Sequence, residues 1–388
     1  MEVAHVDRPP LVGLDLAPVV YVGRSDVALP DGVPGFDDGD VHAATMADLL
    51  ADAPLLVILD ALSFPYEVLS DEQWAVPMLV CLPHDMPSDD AVRVLEPALS
   101  RMGFFDLFAV RSDAEWDVLR RAHPFATSQR APAPSDDPAA VVDFALDLVQ
   151  RDVTTADAVE APERYESVSY WRKRGEEVGP LSQHRAICSV HHDLRFNKAM
   201  HQAQADALVP QFDEVRTLGA GRDLAILEIG AGVGRWATAF RPDGDRYTGV
   251  DISASMVEIA RLNFPEHEFH VVDEDGRLPH EANTFDLVMS VTVLHHNPLD
   301  VRRALIREMW RVTKPAGHIL LLEQVVAAAP RPDSTVYRMS VSDLVMDVHR
   351  ASLGRVVLEH AEAVRYPHDE MYRSVLLRLT KLGRAATW

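Results

Sequence analysis

The chain has 388 residues, 47% of them apolar and 25% charged. That excludes a disordered chain and leaves room for two or three domains of roughly 150 residues each. Lysine and arginine number 37 against 60 acidic residues, a formal net charge of −23. This balance argues against a protein that neutralises nucleic-acid phosphates or docks on an anionic membrane surface. Cysteine is limited to Cys81 and Cys188, too few for a disulfide framework or a four-cysteine zinc site. Met1–Asp7 lacks the basic start and apolar core of a leader, and no apolar run approaches the roughly 20 residues of a membrane span. A cytoplasmic location is the expectation.

In chain order, the first 150 residues carry apolar runs at 18–22, 55–59 and 78–82. Near-continuous apolar runs, rather than alternating ones, suit parallel strands covered on both faces. Helical patterns at 46–52, 66–74, 88–102 and 112–122 alternate with them, and that order predicts a small doubly wound α/β domain. Asp60, His84 and Asp85 sit at strand ends, where open α/β sheets place ligands, although helix caps and solvated turns use the same residue types. Residues 123–138, rich in Pro, Ala, Ser and Asp, read as a loop, and a helix is expected at about 139–151. The division predicted is an N-terminal α/β domain over 1–152, a linker over 153–165 and a second domain over 166–388. A homodimer is compatible with this division, which does not reveal the role of the first domain.

The chemically informative stretch begins at Leu224. An apolar strand reaches Glu228, runs into a turn with Gly230, Gly232 and Gly234, and is expected to open a helix directly afterwards. Glycines at alternate positions let the backbone turn sharply and approach a ligand without Cβ interference. A nicotinamide dinucleotide fingerprint would need glycine at position 235, where Arg235 stands. Glu228 would repel a pyrophosphate but not a cationic ligand such as a sulfonium with an α-ammonium group. A second strand ends in Asp251, 23 residues beyond Glu228, where a carboxylate can accept both hydroxyls of a ribose. A third strand leads to Asp273 and Asp275, a fourth (284–290) to His295 and His296, and a fifth follows Lys314-Pro315-Ala316-Gly317.

This order of E-x-G-x-G-x-G, G-V-D-I-S, D-G-x-L-P, F-D-L-V-x-S and R-V-x-K-P-x-G resembles the class I S-adenosylmethionine-dependent methyltransferases. The likeness is tight over 224–323 and extends over most of 166–388. It implies a Rossmann-like, largely parallel seven-stranded sheet with its last strand antiparallel, residues 355–364 and 372–380 supplying the last two strands. It implies S-adenosyl-L-methionine as cofactor, with Glu228, Gly230, Gly232 and Gly234 along its methionine portion, Asp251 on the ribose and Ile252 beside it. The adenine contact falls to Asp275 by the D-G-x-L pattern or to Asp273 by the strand end, with Asp275 slightly preferred. Ala316 departs from the glycine usual in this family, a change that should be tolerable if its φ is negative.

Methyl transfer from a sulfonium is an in-line displacement, so alignment and removal of the acceptor's proton are the protein's tasks. Histidine suits the second task near neutral pH, and His295 and His296 stand at the mouth of the expected crevice. Tyr170 and Trp171, within an aromatic-basic segment, are expected to form a lid, and Tyr337 and Arg338 to line the acceptor pocket. His184, Cys188, His191, His192 and Asp193 could be spaced for a metal, but a polar cap over the cleft is the preferred reading; no metal is expected. The expected partner is a small-molecule acceptor, an oxygen of a sugar or natural product, with neither nucleic acid nor membrane as partner. The alternative is a cofactor-sensing or scaffold protein with a vestigial methyltransferase fold and a partner-binding N-terminal domain.

Overall fold

A computed structural model describes residues 20–22, 35–36, 56–58, 78–81, 106–110, 129–132, 138–156, 166–178, 183, 194–241, 244–325, 335–366 and 369–383. The chain divides into an N-terminal and a C-terminal compact unit. No helix of the described residues is long and apolar enough to cross a membrane.

The N-terminal unit is organised on a six-stranded parallel sheet in the order β2-β1-β3-β4-β5-β6. Its strands are β1 (Val20–Val22), β2 (Gly35–Phe36), β3 (Leu56–Ile58), β4 (Met78–Cys81), β5 (Leu107–Val110) and β6 (Gln129–Pro132). β4 and β5 are buried along their whole length, as two-sided cover requires. β6 lies inside the stretch read as a loop. It is an edge strand, where the missing N–H of Pro132 breaks no central ladder, so proline and polar residues do not bar pairing. Helix α1 (Pro138–Ala156) sets Val141, Val142, Ala145, Leu148 and Val149 against β4 and β5. The expected helices at 46–52, 66–74, 88–102 and 112–122, and Asp60, His84 and Asp85, lie outside the described residues.

In the C-terminal unit the elements are α2 (Ser167–Glu176), α3 (Leu194–Leu218), β7 (Ala225–Ile229), β8 (Arg246–Asp251), α4 (Ala254–Asn263), β9 (Glu268–Val271), β10 (Phe285–Val291), α5 (Leu299–Val312), β11 (Thr313–Gln324), α6 (Val341–Ser352), β12 (Val356–Tyr366) and β13 (Asp369–Lys381). The sheet order is β12-β13-β11-β10-β7-β8-β9. β13 runs antiparallel between β11 and β12, and the other pairings are parallel. This is the seven-stranded α/β sheet expected from the motifs. On one face, Leu305, Ile306 and Met309 of α5 and Leu344 and Val348 of α6 pack on Leu227, Val288, Ile319 and Leu377. On the other, Phe212 of α3 leads through Phe240 to Tyr247 in a row of ring contacts, 4.9 and 5.5 Å between centroids.

Strand order reverses between β7 and β10, so the carboxyl ends of β7, β8 and β10 frame a crevice. The segment after β7 differs from expectation: residues 232–236 form turns and Ala237–Ala239 a single 3₁₀ turn, not an α-helix. Gly232 and Gly234 at φ +55° and +84° take the backbone off the helical path. Ala316 does not meet the condition set for it, since its φ is +61°. Pairing of β10 with β11 jumps from Phe285↔Thr313 to Leu287↔His318, so 314–317 loops out and needs a left-handed residue.

Candidate active site

The β7 wall of the crevice is built from backbone. Gly230 and Ala231 both donate N–H to the Val250 carbonyl, at 2.8 and 3.0 Å, locking the turn to the end of β8. Gly230 is at φ +71°, and a Cβ there would lie 2.2 Å from Val293 Cγ2. Both the conformation and the close approach therefore demand glycine. Val293 is brought in by Thr292, a β-branched residue at φ +59°, anchored by its N–H on the Leu322 carbonyl at 2.7 Å. Such backbone strain persists only where the surroundings enforce it.

Asp251, at the end of β8, is 8% exposed. Its Oδ2 accepts from Gly232 N at 2.8 Å and its Oδ1 from Ser253 N at 2.9 Å. Each oxygen keeps a lone pair for a further donor, so the carboxylate is held in place yet still able to accept two hydroxyls. Burial raises its pKa, against the lowering by these N–H groups. Ile252 is half-buried beside it. Glu228 is deeper: its Oε2 accepts the Tyr247 hydroxyl, and both side chains are buried. Burial pushes the Glu228 carboxyl up to about 8, opposed by the Tyr247 bond and by the nearby Arg235 guanidinium. Glu228 thus sits beneath the turn and meets Tyr247.

Asp273 and Asp275 both lie exposed beyond β9. Asp275 Oδ1 accepts from Arg277 N at 2.9 Å and so closes its own turn. Between them, Glu274 pairs with Arg172 of α2 at 2.7 Å. That ties the expected lid to the third strand's end. α2 begins at Glu166, whose carboxylate accepts from Val168 N and Ser169 N. This helix brings Trp171 edge-on to the His296 ring, with centroids 4.9 Å apart, and Tyr170 edge-on to Trp171 at 5.1 Å.

Beyond the carboxyl end of β10 stands a polar cluster that the sequence reading half anticipates. His295 and His296, in the 3₁₀ turn Leu294–His296, have ring centroids 4.1 Å apart. His295 Nδ1 is 2.7 Å from Glu323 Oε2 near the end of β11. Glu323 is fully buried, and it also accepts from Ser290 Oγ at 2.8 Å and from the N–H groups of Val293 and His295 at 3.3 Å. A carboxylate at this distance fixes the proton on Nδ1, because the competing Gln324 N–H lies at 3.4 Å; Nε2 is left as the acceptor. His296 Nδ1 is 2.5 Å from the Thr335 carbonyl oxygen, and burial, then His295, holds its pKa well below the usual histidine value.

Tyr337 joins through its backbone, its N–H reaching the His295 carbonyl at 2.7 Å, whereas Arg338 is exposed. Glu323 was not among the expected site residues. Its signal was a carboxylate ending the apolar run Ile319–Leu322 of β11. Residues 184–193 and 326–334 lie outside the described residues. Among the described residues no group of three His, Cys, Asp or Glu side chains is arranged to hold a metal ion.

Sheet order, the glycine turn locked to β8 and a carboxylate at the end of β8 define the C-terminal region as a class I S-adenosylmethionine-dependent methyltransferase domain. In agreement, residues 227–321 match the family model described as a methyltransferase domain. The malonyl-[acyl-carrier protein] O-methyltransferase of Salmonella typhimurium is 34% identical over 125 residues, 31% of this chain and 49% of that protein. An uncharacterized methyltransferase of Bacillus subtilis is 32% identical over 130 residues, 32% and 51% of the two chains. A demethylmenaquinone methyltransferase of Chlamydia trachomatis is 28% identical over 174 residues, 40% of this chain and 74% of that one. The chain spans about half the length of the first two relatives.

Proposed function

We propose that the chain is an S-adenosylmethionine-dependent methyltransferase acting on a small molecule, at an oxygen of a sugar or natural product. The carrying observation is the pairing of two walls across one crevice, Asp251 with the glycine turn on one side and the His295–Glu323 pair on the other. The relatives' names support methyl transfer, and those in Salmonella and Chlamydia act on a carrier-bound acyl group and a quinone precursor according to those names. The scarcity of cysteine supports a cytoplasmic location.

The donor set fits the cofactor. Asp251 would take the ribose hydroxyls, the turn at Gly230, Gly232 and Gly234 would admit the methionine portion, and Ile252 and Asp273 would meet the adenine. Asp275 shares that role as the alternative contact, since one N–H bond to its Oδ1 leaves the carboxylate able to accept another. Glu228, beneath the turn, would compensate the cofactor's positive charge. The cofactor supplies an electrophilic methyl group when bound.

His295 is the better placed of the two imidazoles to take the acceptor's proton on Nε2. Its cation would be balanced by the Glu323 carboxylate, whereas the Nδ1 of His296 meets the Thr335 carbonyl oxygen. Trp171 and His296 would line the acceptor's path and exclude water. Titration calorimetry of the native protein with S-adenosylmethionine, followed by product analysis across sugar and polyketide-type acceptors, tests the reading. Absence of cofactor binding would sink it; tight binding without any S-adenosylhomocysteine formation would favour a cofactor sensor instead.

A further inference from the structure

Away from the crevice, α5 and α6 pack together through one carboxylate. Asp347 of α6 is buried, and its Oδ2 accepts from Arg302 Nε and Nη2 at 3.2 and 2.9 Å. Its Oδ1 accepts from Arg303 Nε at 2.8 Å and from Arg350 Nη1 at 3.3 Å. Arg302 alone, buried and doubly bonded, meets the charge of Asp347. Arg303 and Arg350 are the surplus. They are half-exposed and exposed and tethered to the same oxygen, each through one of a guanidinium's five N–H donors.

Arg307 stands one turn after Arg303 on the same helix and has no ion-pair partner among the described residues. Arg303, Arg307 and Arg350, with Asp347 and Ala351, line a pocket of about 160 Å³. Three guanidinium groups thus bond one carboxylate, and a fourth, that of Arg307, lines the same pocket, in a chain whose net charge is −23. Nearby acids offer little relief. Glu308 is bound to Arg311 and to Leu278 N, Asp343 closes the Ser340 cap, and Asp300 lies a turn before Arg303.

We propose that this pocket binds a phosphate group, as inorganic phosphate or as the phosphate of a small phosphomonoester. A tetrahedral dianion can accept several forked N–H pairs at once, and guanidinium is more weakly hydrated than ammonium, so it gives up less on contact. Tethering two of the three arginines to Asp347 removes much of the rotamer entropy that a free arginine loses on binding. None of the pocket's lining residues belongs to the glycine turn, to Asp251 or to the His295–Glu323 cluster.

The test titrates the full chain with sodium phosphate, glucose 6-phosphate or glucose against sodium chloride at matched ionic strength, reading calorimetry and thermal midpoint. The expected result is saturable binding of both phosphates, with a Kd of about 1 mM or tighter, and none of glucose. Arg307→Ala with Arg350→Ala should weaken it at least tenfold while leaving S-adenosylmethionine affinity unchanged. Both variants spare the Arg302–Asp347 bridge. Equal affinity for the two phosphates identifies the anion alone as ligand; tighter binding of the sugar phosphate identifies a phosphomonoester. No binding above the chloride control, or binding that the double variant leaves intact, overturns the proposal.

Discussion

The two walls of the crevice are built by different means. On the β7–β8 side the contacts are local: Gly232 meets Asp251 and Tyr247 meets Glu228 across 19 residues, through backbone N–H groups and adjacent strand ends. On the β10–β11 side they are assembled from afar. Glu323 lies 28 residues beyond His295, Thr335 lies 39 beyond His296, and Trp171 reaches His296 from a helix before the sheet begins. A wall made of backbone resists side-chain change except where Cβ is forbidden or a charge is the ligand. A wall made of side-chain pairs can be re-aimed by single substitutions, which suits the half of a transferase that must vary with its acceptor.

That contrast predicts separable phenotypes. Asp251→Ala removes a charged acceptor for two hydroxyls, each such bond contributing about 1.5–3 kcal/mol. S-adenosylmethionine affinity should fall at least about 100-fold by calorimetry. Because the same carboxylate holds Gly232 and Ser253, Asp251→Asn should fall between it and the native protein. An Asp251→Ala protein that binds normally would break the assignment of this wall.

Glu323→Gln tests the other wall. It keeps the volume but loses the charge that orients and balances His295, and general-base contributions are typically 10²–10⁴-fold. Turnover should drop by about 100-fold, His295→Ala by at least as much, with cofactor affinity within about twofold. If Glu323→Gln acts through base positioning, the acidic limb of its pH–rate profile moves; a merely structural role would lower the rate at every pH alike. A shared loss of cofactor affinity would erase the distinction between the walls.

How far each wall was legible in the sequence follows from the same contrast. Glycines that need positive φ and a carboxylate at a strand end leave marks within one short stretch, so Gly230, Gly232, Gly234 and Asp251 could be read directly. His295 and His296 were legible as residue types at a strand end, but their orienting partner was not, since nothing local links position 295 to 323. The α-helix expected after the glycine turn failed because Gly232 and Gly234 hold positive φ and leave the helical path. β6 was hidden because an edge strand pairs by backbone and tolerates the Pro and polar residues that usually mark a loop. The helical patterns expected between 46 and 122 lie outside the described residues, whereas the one expected at 139–151 is α1.

A smaller effect sharpens the local wall. Glu228 rises to about 8 in the fold from 4.5, so the folded state holds a proton that the unfolded chain has released. Its contribution to stability is full below about pH 4.5 and is lost as pH rises through about 8. Thermal midpoints should therefore fall more steeply between pH 5 and 8.5 in the native protein than in Glu228→Gln. A cationic cofactor favours the ionised carboxylate, so it should bind more tightly toward pH 8, and this trend should flatten in the variant. Parallel pH profiles would show that Glu228 does not sense the cofactor's charge.

The smallest expected effect lies at the opposite end of the sheet and serves as the control for both walls. Ala316 holds φ +61° in the looped-out segment 314–317, and its side chain is exposed. Left-handed backbone costs an L-residue about 1–2 kcal/mol. Glycine removes that strain but gives the unfolded chain more freedom, which offsets roughly 0.5–1 kcal/mol. Ala316→Gly should stabilise the native protein by about 0.5–1 kcal/mol, raising the midpoint by roughly 1–4 °C for a domain of this size. Neighbouring Gly317 permits no reverse experiment, since a Cβ there would meet the Lys314 and Asp286 carbonyl oxygens at 2.9 and 3.0 Å. Because the turn touches neither Asp251 nor Glu323, cofactor affinity and turnover at 25 °C should stay at native values. A change in either would mean that strain at the foot of β11 is transmitted to Glu323 near its head, and the two ends of that strand could no longer be treated separately.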